Sequence, residues 1–446
     1  MKKNHPLTYS IGLFLLALFV LSSCKKSDGG SPATDPFNNG GSERNMIVIM
    51  SDMHIGVDTS FSQCVKNLPP LENLLKQIKA SPNVNELVIA GDLVDEWFVP
   101  ADVNTYQGKD QADFVQRLAA TNKGVFDVLN SIIQEGKILV TYTPGNHDIA
   151  VTEASIELIL PGINQARDNV LGLGTYYPVN CPQIAIEHSH RYNFFCAPDT
   201  YSNQDIAPGT ILPPGYFFTR IAALYVEQQK QPNPAPPVDS LPKIIPHSSG
   251  DDSQNMLFKY WETWYTTMNM FAIENKFDEE IIVTNMNGFT GNFSVDELVP
   301  FQSFPGGYID VDLYKGIQDN WTDRASHNHV AVPIKTEYAV DSVMSNTFTD
   351  YQASQQYFLN PASDVRIVVF GHTHAPRINA EVNLDGEKCI YANSGTWVDN
   401  NTNATTTANF IVITPQNADD SSQTQVKLYN FENEVVTLMG EESVRY

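Results

Sequence analysis

The feature that most constrains this chain recurs five times along it: a short apolar run of strand character that breaks off on residues able to bind a metal. The runs are Met46–Met50, Leu87–Ala90, Lys137–Tyr142, Gln183–Ile186 and Val365–Phe370. They lead into Asp52-Met53-His54, Gly91-Asp92, Gly145-Asn146-His147-Asp148, His188-Ser189-His190 and Gly371-His372-Thr373-His374. Between the early runs lie two helical stripes. Leu71, Leu74, Leu75 and Ile78 follow Pro69-Pro70, and a longer stretch from Asp110 to Glu135 is stopped by Gly136. Alternation of strands with helices predicts an α/β fold with parallel strands. In such sheets ligands bind beyond the carboxyl ends of the strands, so separated segments can deliver side chains to one point.

The residue types in these turns set the chemistry such a point can carry. In Asp52-Met53-His54 the outer side chains share a face of extended chain, which pairs a carboxylate with an imidazole. Asp92 follows a glycine turn and adds a second carboxylate, whose two oxygens suit the bridging of two cations. Asn146 offers a neutral carbonyl oxygen, and His188, His372 and His374 offer ring nitrogens. Oxygen and nitrogen donors without a thiolate fit Mn, Fe or Zn. Cys64, Cys181, Cys196 and Cys389 form no CxxC pair and no zinc-finger spacing. In an oxidising compartment Cys181 and Cys196 are the nearest pair for a disulfide, with free buried thiols as the alternative. Any one of the five motifs can arise by chance, since a histidine near a core is often only a satisfied polar group. Their ordered occurrence is the signal.

In that order the motifs resemble the calcineurin-like metallophosphoesterases, whose blocks run DxH, GD, GNH followed by D or E, H, and GHxH. The resemblance covers residues 46–192 and 365–398 and implies an α/β fold built as a two-sheet sandwich. It implies two divalent metal ions, one held by Asp52, His54, Asp92 and His374, the other by Asp92, Asn146, His188 and His372. Asp92 is then the bridge. In the fourth block His188 and His190 flank Ser189; the pattern assigns His188 to the metal and leaves His190 behind the ligands or against the substrate. His147 is expected to stay off the metals as the catalytic acid, with Asp148 orienting its ring. Asp95, in the run GDLVDEW, is either an acceptor behind the ligands or a carboxylate at a helix start. The implied activity is hydrolysis of a phosphomonoester, phosphodiester or diphosphate by metal-activated water, with no Ser or Cys nucleophile.

Departures from the pattern narrow the kinship. Purple acid phosphatases carry a metal-binding Tyr where Asp95 stands. Secreted nucleotidases continue after GHxH into a large substrate domain, which the residues after His374 are too few to form. An envelope nucleotidase is therefore a second reading, and a surface lipoprotein that only binds is a third. GDLVDEW and GHTHAP look like the branch that contains the UDP-diacylglucosamine pyrophosphatases, which lack a secretory signal. A phosphorylated small molecule or lipid-linked substrate is expected on that basis. Asn393-Ser394-Gly395-Thr396-Trp397 resembles the family's closing turn beside the site.

The first residues bear on location. Lys2 and Lys3 precede an apolar stretch, Ile11–Leu21, that is too short to span a bilayer as a mature helix, and Leu21-Ser22-Ser23-Cys24 resembles a bacterial lipobox. The reading is a signal peptide over residues 1–23, lipid on Cys24, and a flexible tether over 24–44 that is too poor in apolar residues to fold. Export and anchoring in the cell envelope follow. A formal net charge of −24 repels polyanions and counts against a nucleic-acid scaffold, which needs a basic face.

The main domain is expected over 45–446, interrupted by an insertion over 193–364 whose ends lie beside two metal blocks, so that it is placed to act as a cap. Tyr216, Phe217, Phe218, Trp261, Trp264 and Tyr265 are expected either to line a pocket or to build the insertion's own core. Arg191 and Arg220 are candidate phosphate contacts, and the Pro/Gln-rich run Glu227–Pro242 reads as an exposed loop.

Overall fold

The computed structural model describes residues 35–230, 241–248, 250–271, 273, 279–342, 345, 347–416 and 422–446. The expected signal segment, Cys24, the start of the tether and most of the Glu227–Pro242 run lie outside the described residues.

Strands β1 (Met46–Met50), β2 (Val84–Ala90), β3 (Leu139–Thr143) and β4 (Asn164–Gln165) run parallel, with helices α1 (Leu68–Ala80), α2 (Gln111–Thr121), α3 (Lys123–Glu135) and α4 (Glu153–Ile159) between them. Next come β5 (Thr175–Tyr176) and β6 (Ile184–Glu187). The insertion follows, with α5 (Pro214–Gln229), α6 (Asp252–Met268), a hairpin of β7 (Ile282–Met286) and β8 (Phe289–Phe293), and a short pair β9 (Phe301–Gln302) and β10 (Ile309–Asp310). It closes with α7 (Trp321–His327), α8 (Thr336–Asp341) and α9 (Phe348–Ala353), the last continuing into a π turn over Ser354–Phe358. The chain ends through β11 (Ile367–Phe370), β12 (Arg377–Val382), β13 (Lys388–Asn393), β14 (Asn409–Thr414), β15 (Thr424–Glu432) and β16 (Val435–Val444).

These strands form two stacked sheets, in the orders β16-β15-β14-β1-β2-β3-β4 and β12-β13-β11-β6-β5. Between the sheets lies one apolar layer, where Ile47, Ile49 and Val88 meet Ile184, Ile186, Ile367 and Val369. The other face of the first sheet is covered by α1 through Leu71, Leu74 and Leu75 and by α3 through Val125, Leu129 and Ile132. Burial on both faces is why these strands read as continuous apolar runs with no alternation. Register sets the ends flush: Met50 faces Ile89, Ala90 faces Thr143, and Phe370 faces both Glu187 and Asn393. The turns after β1, β2, β3, β6 and β11 therefore leave from one rim.

Local details differ from expectation in two places. The helix expected from Asp110 to Glu135 is two, broken at Asn122, whose side-chain amide donates to the Leu118 and Gly56 carbonyls and so ends the first helix. The stop at Gly136 holds, with φ of 66°. Residues 35–44 of the expected tether lie against the fold, because Phe37 is buried and stacks on Phe410 at 5.7 Å. All four described cysteines are free.

The insertion's aromatics answer the question left open by their sequence. Phe218 stacks on Trp264 at 4.0 Å and Phe195 on Tyr260 at 5.4 Å. Tyr216, Phe217, Phe218, Trp261 and Trp264 are buried and Tyr265 partly so, so these rings build a core and do not line a pocket. Arg220 is a correction of the same kind. Its Nε donates to the Val99 carbonyl at 2.8 Å, and Nη2 donates to Pro100 and Val283 at 3.0 Å each. Fully buried and engaged with carbonyls, it pins the insertion to the 99–103 loop and is not placed to meet a phosphate.

Candidate metal centre

Side chains from all five turns meet at the rim. The backbone there is strained: Asp52, His54, Asp92, His372 and His374 have φ between 46° and 70°, a region that costs a non-glycine residue roughly 1–2 kcal/mol. Neighbouring turns hold them in it. The Asp52 and His54 amides donate to the carbonyls of Gly91 and Asp92 at 3.1 and 2.9 Å, and the His372 amide donates to the Asp52 carboxylate at 3.0 Å. Two glycines make this packing feasible. A Cβ on Gly91, where φ is +86°, would lie 2.5 Å from His188 Nδ1, and one on Gly145 would overlap Asp92.

Two groups of donors result, sharing one carboxylate. In the first, His374 Nε2 lies 3.1 Å from Asp52 Oδ1 and 3.1 Å from His54 Nε2, which is 3.5 Å from Asp92 Oδ2. In the second, His188 Nε2 lies 3.2 Å from the same Asp92 Oδ2 and 3.0 Å from Asn146 Oδ1, and His372 Nδ1 is 2.8 Å from that amide oxygen. Asp92 Oδ2 thus faces both groups, while Asp92 Oδ1 is fixed by the His147 amide at 2.8 Å. His372 and the neighbouring His147 are half-buried, and the other six ligand candidates are buried. Access is from their side.

The histidine of the third turn is oriented by a different acid from the one expected. His147 Nδ1 lies 2.8 Å from Asp95 Oδ1, and Asp95 Oδ2 lies 3.1 Å from His54 Nδ1. With Nδ1 engaged, only Nε2 of His147 is left to face a substrate. Trp97 packs on the ring at 5.1 Å between centroids. Asp148 instead accepts the amides of Gly145 at 2.6 Å, Leu93 at 2.9 Å and Val94 at 3.2 Å, tying the second turn to the third. Asp95 starts no helix; its Oδ1 also accepts the Trp97 and Phe98 amides at 3.0 and 2.8 Å.

In the fourth turn, His188 is the histidine that faces the other donors. His190 is buried behind it, with Nε2 donating to the Gly172 carbonyl at 3.0 Å, and burial pushes its pKa well down, so the ring is neutral. Arg191 is not placed for a phosphate: Nη2 meets Asp168 at 2.7 Å and Thr175 at 3.0 Å, and Nε meets Glu187 at 2.8 Å.

Electrostatics explain what the donors are suited to hold. Burial disfavours a charged His54, yet Asp95, Asp92 and Asp52 outweigh it and raise the ring to about 9. His188 is raised to about 10 in the same way, by Asp92 and Asp52 against burial. Burial would raise Asp52 and Asp92, but His188 foremost among the histidines holds both below the usual carboxylate range. His372 is driven down to about 3 by burial and by the charge on His188. The protein alone therefore balances two buried carboxylates with protons on imidazoles whose nitrogens face them. Divalent cations provide the same balance and use those nitrogens as ligands, so the donor set fits them.

Sequence reading missed several residues that hold the site. The Asn193 amide lies 3.2 Å from His372 Nε2, and no motif marks it. Asp350, from α9 in the insertion, accepts from Thr373 Oγ1 at 3.1 Å and from Tyr391 and Asn393, and pairs with Arg377 at 3.1 Å. It locks the turn between His372 and His374. The Asn393–Trp397 turn was legible, and its place is seen here: Thr396 Oγ1 and the Trp397 amide donate to the Asp52 carbonyl at 2.9 and 3.0 Å.

Residues 46–224 match the calcineurin-like phosphoesterase family. That span holds Asp52, His54, Asp92, Asn146, His147 and His188 and runs into α5, while His372 and His374 lie beyond it. No curated protein matches the chain.

Proposed function

From the premise that residues 46–224 form a calcineurin-like phosphoesterase domain, a hydrolase of phosphoester bonds, we propose that the chain is a two-metal phosphoester hydrolase of the cell envelope. The observation that carries this reading is the single oxygen, Asp92 Oδ2, lying 3.5 Å from His54 Nε2 and 3.2 Å from His188 Nε2, between two otherwise separate donor sets. Asp52, His54, Asp92 and His374 would hold one divalent ion, and Asp92, Asn146, His188 and His372 the other, with Mn, Fe or Zn fitting these donors. The chemistry a bound pair supplies is activation of water and neutralisation of phosphoryl charge, which also lets so acidic a protein take an anionic substrate.

The chain's own residues do the rest. The His147 amide restrains Asp92 Oδ1 and so keeps Oδ2 turned between the two donor sets, where it would serve both ions. Asp95 fixes the His147 tautomer with the proton on Nδ1 when the ring is neutral, and stabilises the ring when Nε2 is also protonated, so His147 Nε2 can deliver a proton to the leaving oxygen. The strained turns keep the donors converged before any substrate arrives.

Phosphorylated small molecules and lipid-linked phosphates are the proposed substrates. The lipid on Cys24 and envelope location belong to the same proposal, supported by Lys2, Lys3, the Ile11–Leu21 stretch and the Ser22-Ser23-Cys24 boundary. The test has two arms. Purified protein is assayed for metal content and for turnover of a monoester, a phosphodiester and a diphosphate; two metals per chain and hydrolysis of at least one class are expected, and metal-loaded protein inert on all three would overturn the reading. Mass spectrometry of the mature N-terminus checks the anchor, with a diacylated cysteine expected and an unmodified chain refuting it.

A further inference from the structure

Beside the metal centre but on the outer face of the second sheet, a cavity of about 610 Å³ opens between β5, the turn that follows β6, and two segments of the insertion, 329–331 and 356–365. Its size falls in the range of small-molecule sites, about 300–1,000 Å³. Arg191 forms part of its lining and is buried. That guanidinium is already neutralised, by Asp168 at 2.7 Å and Glu187 at 2.8 Å, and a further carboxylate, Asp364, lines the cavity. An anion entering here would meet a surplus of negative charge with no free cation among the charged groups named. An apolar ligand would strand the hydroxyl of Thr175 and the carboxylates away from water. Tyr177, 47% exposed, presents a ring to the cavity, and on the same lining His329 is exposed with its backbone at φ of 58°, a strained conformation for a rim residue.

Carboxylates that accept, an exposed ring that packs on C–H faces, and a charge balance that rejects anions together describe one ligand chemistry. We propose that this cavity is a second binding site, separate from the metal centre, for a neutral polyhydroxylated ligand such as a sugar unit. The sugar hydroxyls donate to Asp168 and Asp364, and one ring face lies on Tyr177.

The test titrates the full chain with maltose, cellobiose and lactose by calorimetry and saturation-transfer NMR, with inorganic phosphate and choline as charged probes. At least one disaccharide is expected to bind with Kd of about 1 mM or tighter. Tyr177→Ala should weaken it at least about tenfold, and Ala331→Trp, which fills the cavity while removing no contact, should abolish it. Metal content and turnover of a small phosphate ester should be unchanged in both variants. Absence of disaccharide binding, binding of phosphate or choline only, or sugar binding that survives both variants overturns the proposal. These readouts use no turnover of the sugar, so failure of the hydrolase reading appears in the metal and ester assays and failure of this one in the titration.

Discussion

Asp95 gives one carboxylate oxygen to each of two histidines, Oδ1 to His147 and Oδ2 to His54, and so couples the proposed acid to a proposed metal ligand. If His147 delivers a proton, His147→Gln should keep both metals and lose about 10²–10⁴ in rate on substrates with poor leaving groups, and less on activated aryl phosphates. Asp95→Asn should slow the same substrates, and the double variant should lose much less than the product of the two effects, because the residues act as one unit. Multiplicative losses would show that Asp95 acts elsewhere. Asp92→Asn should remove at least one metal and most activity, read by elemental analysis beside the assay.

Glu96 carries a pH signature of its own. Burial raises its pKa to about 8, the donors Tyr106 and Gln111 only partly offsetting it. A folded pKa above the unfolded value means that the native state binds the extra proton, so stability is full at low pH and falls as pH rises from about 4.5 towards 8, by up to about 5 kcal/mol. Urea midpoints at pH 5 and 8 should therefore drop more for the native protein than for Glu96→Gln, which is neutral throughout. Equal drops would place Glu96 as an ionised residue.

At the scale of elements, the insertion behaves as part of the body of the protein. Trp264 of α6 stacks on Phe218 of α5 with no solvent exposure, so Trp264→Ala should cost about 3–5 kcal/mol, the range for removing a large core aromatic. Chemical denaturation reads that loss, and activity on small and large substrates should fall together as the folded fraction falls. A selective rise in KM for a large substrate, with stability unchanged, would restore the aromatic-pocket reading. The break at Asn122 shows a related point: a single polar side chain that finds a tertiary carbonyl, Gly56 O at 2.9 Å, divides a stretch whose apolar spacing runs on.

The whole molecule depends on charges that its fold brings together. Asp52 and Asp92 are buried within reach of three histidine rings, those of His54, His188 and His374, and ions that satisfy them should stabilise the native state by mass action, about 2.7 kcal/mol at one hundred times Kd. Chelation should lower Tm, and restoring a divalent ion should recover it. The shift should shrink as pH falls, because protons then compete for His54 and His188, raised to about 9 and 10. A Tm indifferent to chelation would count against metal at this site.

The α/β class, the strands that end on candidate ligands and the residues gathered at the rim were legible in the sequence alone, because an apolar run followed by Asp, Asn or His is a local pattern that survives without coordinates. The sequence also marked Asn393–Trp397. The left-handed backbone at Asp52, His54, Asp92, His372 and His374 was not legible, since that strain is imposed by neighbouring turns. Nor was it legible that Asp95, and not Asp148, orients His147: both follow glycine motifs, and only the approach of the second turn to the third decides which carboxylate reaches the ring. Arg191 and Arg220 read in sequence as substrate contacts, and the insertion's aromatics stayed open between pocket and core, because free cations and exposed rings look the same as stapled and buried ones. Asn193 and Asp350 left no trace at all, being ordinary polar residues far along the chain from the turns they hold. Long-range packing selects such partners, and it is decided by where the chain returns and not by what stands beside each residue.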